Sequence, residues 1–343
     1  MFKTDFIPFH RLRGMESTLL DGVKVVSVPL FKLFPHIRFF DRTIRRHARA
    51  IQSLCEAEGF HPDAIICHFL NPQLPLIAEL KHKYPNVTTS LVIHEDPRII
   101  GMRFGRHTGA LLGQVDHLGF RFDAMRTRFV DEYGQRPNLF LCPSGVPERF
   151  VLNTVPPKRF AAGPLTFCFV GMLIPLKNVE ILLQSFHQAF PGKDFRLRII
   201  GEGFLRPKLE RLSVDLGLGA CVRFEGRITR EQVQEVLRDA DVFVMVSKPE
   251  AFGLVYLEAM AKGCLTIGTR GQGIDGVIVS RENGFLCEAS DIESLRATLQ
   301  EIVVLPRERL LAIAEAARQT AADLSDGKVA HAYLTTLGIH ELN

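Results

Sequence analysis

Two glutamates, Glu250 and Glu258, stand eight positions apart in the stretch SKPEAFGLVYLEAMAKG, residues 247–263. DVFVMVS (241–247) reads as a strand, KPEAFG as a loop, and LVYLEAMAKG as a helix stopped by Gly263. The turn therefore offers backbone N–H groups of Phe252, Gly253 and Leu254 at a helix N-terminus, a favourable place for an anion. Gly253, with no side chain, lets a phosphate approach the backbone closely. A diphosphate held there would have a carboxylate on either side, and carboxylates accept hydrogen bonds from paired sugar hydroxyls. The spacing suits a nucleotide-sugar, with ribose at Glu258, diphosphate at the helix end and donor sugar at Glu250. The same pattern also fits a plain helix start with one capping and one solvated glutamate.

A second turn has the same character. In FVGMLIPLKNVEILLQSFHQAF (169–190), Gly171 heads a loop, Lys177 lies near its end, and Asn178 is placed to cap the next helix. Val179, Leu182, Leu183, Phe186 and Phe190 give that helix an apolar stripe. A lone loop lysine is ordinarily just solvated. Two glycine-containing turns, both at strand carboxyl ends, converge on one crevice in a doubly wound sheet.

The rest of the chain supplies such a frame. Strand-like runs at 165–171, 195–201, 221–226, 241–247 and 264–269 alternate with helical stretches at 179–190, 204–216, 230–239, 254–262 and 291–303. The first half carries strand-like runs at 22–30, 63–69, 88–95 and 138–145, with a helix at 74–84. This alternation predicts an α/β protein with parallel sheets covered on both faces. The 343 residues are expected to form two domains, 1–150 and 164–325, joined by a proline-rich linker over 151–163. Residues 326–343 are expected to form a C-terminal helix that packs back on the N-terminal domain. The first 31 residues show one good strand and no glycine-rich strand-to-helix turn before it. The expectation is a first domain without its opening unit, through a late start or a loss.

Composition narrows the class. Hydrophobic residues make up 46% and charged residues 23%, so the chain is globular, and its longest apolar run, LTFCFVGMLIPL, is too short for a membrane span. Seven scattered cysteines without a CxxC pair read as reduced, with Cys67, Cys168 and Cys221 in core strands. A net charge of +4 permits anionic partners without requiring nucleic acid.

The ordered set FVGMLIPLKNVEILLQSF, LRIIGEG, VRFEGRITREQVQEVLRDADVFVMVSKPEAFGLVYLEAMAKG and GIDGVIVSRENGFLC resembles the C-terminal domain of retaining glycosyltransferase family 4. That family has the GT-B architecture, two Rossmann-like domains facing a crevice. The likeness continues more weakly through LFLCPSGVPERF (139–150) and TTSLVIHEDP (88–97). The resemblance implies that Glu250 contacts the donor sugar and Glu258 holds the ribose hydroxyls. Amides of Phe252, Gly253 and Leu254, with Gly171 and Lys177, would bind the diphosphate. Arg227 and Ile228 would lie beside the base. His94 would reach the donor sugar from the N-terminal domain, although alone it reads as a structural histidine. Met172 stands where the family usually has an arginine, and Ser144 where many relatives have asparagine. A methionine cannot neutralise a diphosphate, so Arg227 or Arg270 would have to substitute.

The expected activity is transfer of a sugar from a nucleotide-sugar donor to a glycan or lipid-linked acceptor, in cell-surface polysaccharide biosynthesis. The transition state is oxocarbenium-like, with charge growing on the departing diphosphate. Retention is implied by the resemblance, and no carboxylate stands out as a covalent nucleophile, so a front-face route fits better. No metal and no cofactor are expected. His94, Glu95 and Asp96 are consecutive and would point apart on an extended chain. Two other classes stay open: a non-catalytic nucleotide-sugar-binding subunit and a GT-B epimerase. Finally, HIRFFDRTIRRHARAIQSL (36–54) reads as a helix with Arg38, Arg42, Arg45, Arg46 and Arg49 on one face and Ile37, Phe40, Ile44, Ala48 and Ile51 on another. The plain reading is a solvated basic face. The sharper one is docking on anionic lipid at the inner face of the membrane by a cytoplasmic protein.

Overall fold

The computed structural model describes residues 16–20, 23–27, 39–152, 158, 160 and 163–339. β1 (Glu16–Leu20) and β2 (Val23–Ser27) pair antiparallel as a small sheet of their own. Only the second of these was expected, and the ends of that 22–30 stretch lie outside the described residues. α1 (Asp41–Ala57), β3 (Ala64–His68), α2 (Gln73–Lys83) and β4 (Thr88–Ile93) follow. Two short helices, α3 (Ile99–Phe104) and α4 (Thr108–Leu112), lead to β5 (His117–Phe120), α5 (Asp123–Tyr133), β6 (Leu139–Leu141) and α6 (Glu148–Leu152). The four strands that follow β2 form a sheet in the order β3-β4-β5-β6.

The second half is β7 (Leu165–Val170), α7 (Val179–Ala189), β8 (Phe195–Ile200), α8 (Arg206–Asp215), β9 (Val222–Gly226) and α9 (Arg230–Asp239). It continues with β10 (Val242–Val244), α10 (Leu254–Ala261), β11 (Leu265–Thr269), β12 (Phe285–Cys287), α11 (Ile292–Val304), α12 (Arg307–Asp323) and α13 (Asp326–Thr336). The six strands run parallel in the order β12-β11-β10-β7-β8-β9. Strand order reverses between β7 and β10, which puts the doubly wound switch point between the two loops that carry Lys177 and Glu250.

A parallel sheet covered by helices on both faces needs apolar residues at consecutive positions. Phe167, Cys168, Phe169 on β7 and Val242, Phe243, Val244 on β10 are all fully buried. The stripe on α7 is also buried, with the Phe186 ring meeting Phe167 edge-on at 4.9 Å.

Two compact units emerge, residues 1–91 with 98–116, and residues 92–97 with 117–343. β5 and β6 fall in the larger of these units. The expected 151–163 linker lies largely outside the described residues. Within the larger unit, Val146 N–H donates to Leu324 O at 2.9 Å and Asp326 N–H donates to Val146 O at 2.9 Å. The Tyr333 ring of α13 lies 5.3 Å from Phe140 of β6.

The basic helix needs two corrections. It begins at Asp41 and runs to Ala57 rather than over 36–54, and residues 36–38, with Ile37 and Arg38, lie outside the described residues. Phe40 precedes the helix and is 75% exposed, so it does not share the apolar face of Ile44 and Ala48. Arg42, Arg45, Arg46 and Arg49 are exposed. Among the described residues, no helix is long and apolar enough to cross a membrane. All seven cysteines are free; Cys168 is buried, whereas Cys67 and Cys221 are only half-buried, unlike the core positions expected for them.

Candidate functional site

The turn after β7 is held from below. Gly171 N–H donates to Ile200 O at 3.0 Å and the Leu173 N–H to Glu202 O at 2.9 Å, which fastens this loop to the end of β8. Leu173 is fully buried, and Pro175–Lys177 form one 3-10 turn that lifts Lys177 toward β10. A Cβ on Gly171 would stand 3.8 Å from Lys177 Cδ, so the glycine lies beside the lysine stem. Asn178 occupies the N-cap position of α7 without capping it through its side chain. Its backbone is left-handed (φ 51°, ψ 34°), and its Nδ2 donates instead to Val246 O at 2.8 Å. The expected capping role is thus replaced by a tie between the two loops.

The turn after β10 is fixed by Gln272 and Gly273. Glu250 N–H donates to Gln272 Oε1 at 2.9 Å, and Gly273 N–H donates to Glu250 O at 3.0 Å. A Cβ on Gly273 would meet Ala251 O at 2.2 Å, so only glycine permits this approach. Gly253 is the N-cap of α10 with φ +76°, a left-handed conformation that glycine adopts without strain. Phe252 is buried, Gly253 half-buried and Leu254 partly exposed. Their N–H groups take no acceptor among the described residues. Behind the turn, the buried Tyr256 hydroxyl donates to Met245 O, and burial pushes that phenol well above its ordinary pKa. Tyr256 therefore acts as a neutral strut.

These loops bring two expected site residues into direct contact. Lys177 Nζ donates to Glu250 Oε2 at 2.5 Å, with the two side chains 19% and 12% exposed. The lysine also lies 3.9 Å from Met245 Sδ. A cation, a carboxylate and the unengaged amides of a helix start are gathered at the switch point.

Glu258 lies in the second turn of α10 and is 5% exposed. Arg230 Nη2 donates to its Oε1 at 2.6 Å and Gln234 Nε2 to its Oε2 at 2.7 Å. Arg230 opens α9 directly after its N-cap Thr229, inside the capping box that Thr229 forms with Gln232, and its guanidinium lies 4.9 Å over the Phe150 ring. The loop of Arg227 and Ile228 thus ends beside Glu258, which joins the residues expected for ribose and base. Arg230 Nε also donates to Oε1 at 3.2 Å, so three of a carboxylate's roughly four acceptor sites are taken and about one is left for a ribose hydroxyl. Arg227 is exposed and Ile228 half-buried.

His94 directly follows β4, half-buried, in the other sheet from Lys177 and Glu250. Met172 is 49% exposed. Of its suggested substitutes, Arg270 pairs with Glu288 at 2.9 Å. Among the described residues, no group of three or more His, Cys, Asp or Glu side chains could hold a metal. Sequence reasoning missed Arg230, Gln234 and Gln272, whose roles depend on contacts 22 to 28 positions away.

Residues 153–320 match the family described as glycosyl transferases group 1. A D-inositol 3-phosphate glycosyltransferase from Corynebacterium urealyticum is 34% identical over 165 residues, 46% of this chain and 39% of that protein. A GDP-mannose-dependent monoacylated alpha-(1-6)-phosphatidylinositol monomannoside mannosyltransferase from Corynebacterium glutamicum is 30% identical over 57% of this chain and 55% of its own length. The chain spans about half the length of these curated relatives or less. Among solved structures, a UDP-forming trehalose-phosphate synthase from Burkholderia xenovorans superposes with a TM-score of 0.72 at 16% identity, covering 94% of this chain and 90% of that one. This likeness gives the fold: an α/β GT-B architecture of two Rossmann-like domains.

Proposed function

We propose, from the similarity of residues 153–320 to group 1 glycosyl transferases, that the chain is a retaining glycosyltransferase using a nucleoside-diphosphate sugar. The observation that carries this reading is the Lys177–Glu250 pair beside the unengaged amides of Phe252, Gly253 and Leu254. The amides and Lys177 supply positive potential where the leaving diphosphate gains charge. Because those groups are fixed before the substrate arrives, little reorganisation accompanies reaction.

In this reading a diphosphate draws Lys177 Nζ from Glu250, which frees the carboxylate for hydroxyls of the donor sugar. Glu258, oriented by Arg230 and Gln234, takes the ribose. Arg227 and Ile228 flank the base, and Gly171 leaves space for the phosphates. His94 reaches the donor sugar. No metal takes part, and the leaving phosphate itself helps deprotonate the acceptor hydroxyl. The acceptor is a glycan or lipid-linked glycan, and the pathway builds cell-surface polysaccharide. The exposed arginines of α1 support docking at the cytoplasmic face of an anionic membrane. A lipid-linked acceptor accords with the phosphatidylinositol monomannoside after which one relative is named.

Incubation with radiolabelled UDP-glucose, UDP-N-acetylglucosamine and GDP-mannose tests the reading. Slow release of free sugar and nucleoside diphosphate supports a transferase. Formation of an epimer identifies an epimerase instead, and binding without turnover identifies a binding subunit, the outcome that Met172 favours.

A further inference from the structure

We infer that a cavity at the carboxyl ends of β5 and β6 binds a sugar carrying an oxyanion, a phosphate or a carboxylate, with Arg121 as the anion-binding residue. Arg121 directly follows β5 and is only 7% exposed. Its guanidinium lies 5.4 Å over the Phe252 ring, with the Cys142 thiol nearby. Among the described residues it has no carboxylate partner. A buried cation without a counter-ion is costly, and proteins ordinarily pair such a charge. Burial also holds this guanidinium below its usual pKa, the direction expected of a charge that lacks its partner.

Arg121 lines a cavity of about 530 Å³, within the roughly 300–1,000 Å³ range of small-molecule sites. Three carboxylates also line it. Asp123 is paired with Arg126, and Asp323 with Lys328 at 3.0 Å, so both carry their own counter-charge. Asp275 accepts the Gly271 N–H at 2.6 Å with Oδ2, which leaves Oδ1 for a hydroxyl donor. Leu141, Val277 and Leu324 supply apolar surface for the C–H face of a sugar ring. One lone cation, one acceptor carboxylate and apolar walls match a ring that carries both hydroxyls and a single negative group. The site stands on this geometry, independently of the proposed glycosyl transfer.

Calorimetry on the full chain decides the matter, with glucose 6-phosphate, glucuronate, glucose and inorganic phosphate as probes. Excess UDP or GDP is kept present to block the Lys177–Glu250 site. A charged sugar should bind at millimolar concentration, at least about tenfold more tightly than glucose. The two charged sugars separate phosphate from carboxylate recognition. Arg121→Gln should weaken the charged sugar by about tenfold or more, Arg121→Lys less, and Leu141→Trp should abolish binding by filling the cavity. The inference is overturned if no charged sugar binds, if inorganic phosphate binds as tightly as the sugar, or if a folded Leu141→Trp or Arg121→Gln protein binds like the parent. Should Arg121→Gln fail to fold, Leu141→Trp decides alone.

Discussion

Lys177 and Glu250 meet at 2.5 Å across the point where strand order reverses, one from the loop after β7 and the other from the loop after β10. Neither residue is near the other in sequence, yet each is the counter-ion of its partner. Lys177→Met should leave the largely buried Glu250 carboxylate uncompensated. We expect a loss of about 1–3 kcal/mol in urea denaturation, below the full cost of breaking a dry buried pair. The double variant Lys177→Met/Glu250→Gln should regain most of that stability and still fail to turn over donor. Equal stability in all the variants would mean that the pair is merely incidental.

Glu258→Gln should weaken binding of the free nucleoside diphosphate by about 1.5–3 kcal/mol, the usual worth of hydrogen bonds to a charged group. Arg230 can still donate to the amide oxygen, and Gln234 can turn its unpartnered Oε1 to the new NH2, so the protein should fold. Unchanged affinity by calorimetry in a folded variant removes the ribose assignment.

Met172 is half exposed at the head of the β7 loop, with space for a longer side chain. Met172→Arg should raise turnover or donor affinity by adding a cation beside the diphosphate. If steady-state kinetics change in neither respect, another residue already fills that role.

Gly273→Ala places a methyl group 2.2 Å from the Ala251 carbonyl oxygen. Backbone cannot yield as a side-chain tip does, so the loop carrying Glu250 must move. We expect a stability loss of about 1–3 kcal/mol in thermal unfolding, together with weaker nucleotide binding. A folded variant with parental affinity would show that Glu250 tolerates displacement.

The arginines of α1 make a fifth prediction. Sedimentation with anionic vesicles should fall steeply with salt, since exposed charges are screened within about 10 Å at about 0.1 M. Replacing Arg42, Arg45 and Arg49 with glutamine should abolish it without changing nucleotide binding. Equal sedimentation of variant and parent would leave an ordinary solvated face.

The pattern of strands and helices was readable where buried parallel strands run as unbroken apolar stretches. The exceptions have physical reasons. β5 is only four residues, HLGF, with a glycine inside it, because the Phe140 ring occupies the space of a Cβ at Gly119. β12 is three residues long and carries no period. Asn178 looked like a cap because its type favours one, but its left-handed backbone turns the side chain toward Val246. The two glutamates and Lys177 were legible from residue type beside a turn. Their partners were not, since Arg230, Gln234 and Gln272 reach them only through the tertiary fold.

The hydrogen bonds between Val146 and the Leu324–Asp326 segment also bear on the order of events during synthesis. Val146 leaves the ribosome long before Leu324 exists; at about 5–20 residues per second the delay is roughly ten to forty seconds. For that interval Val146 must wait without its backbone partners, and Phe140 without the Tyr333 ring. All four strands of the β3-β4-β5-β6 sheet exist by then, so the sheet can form first and its tie to residues 324–336 closes later.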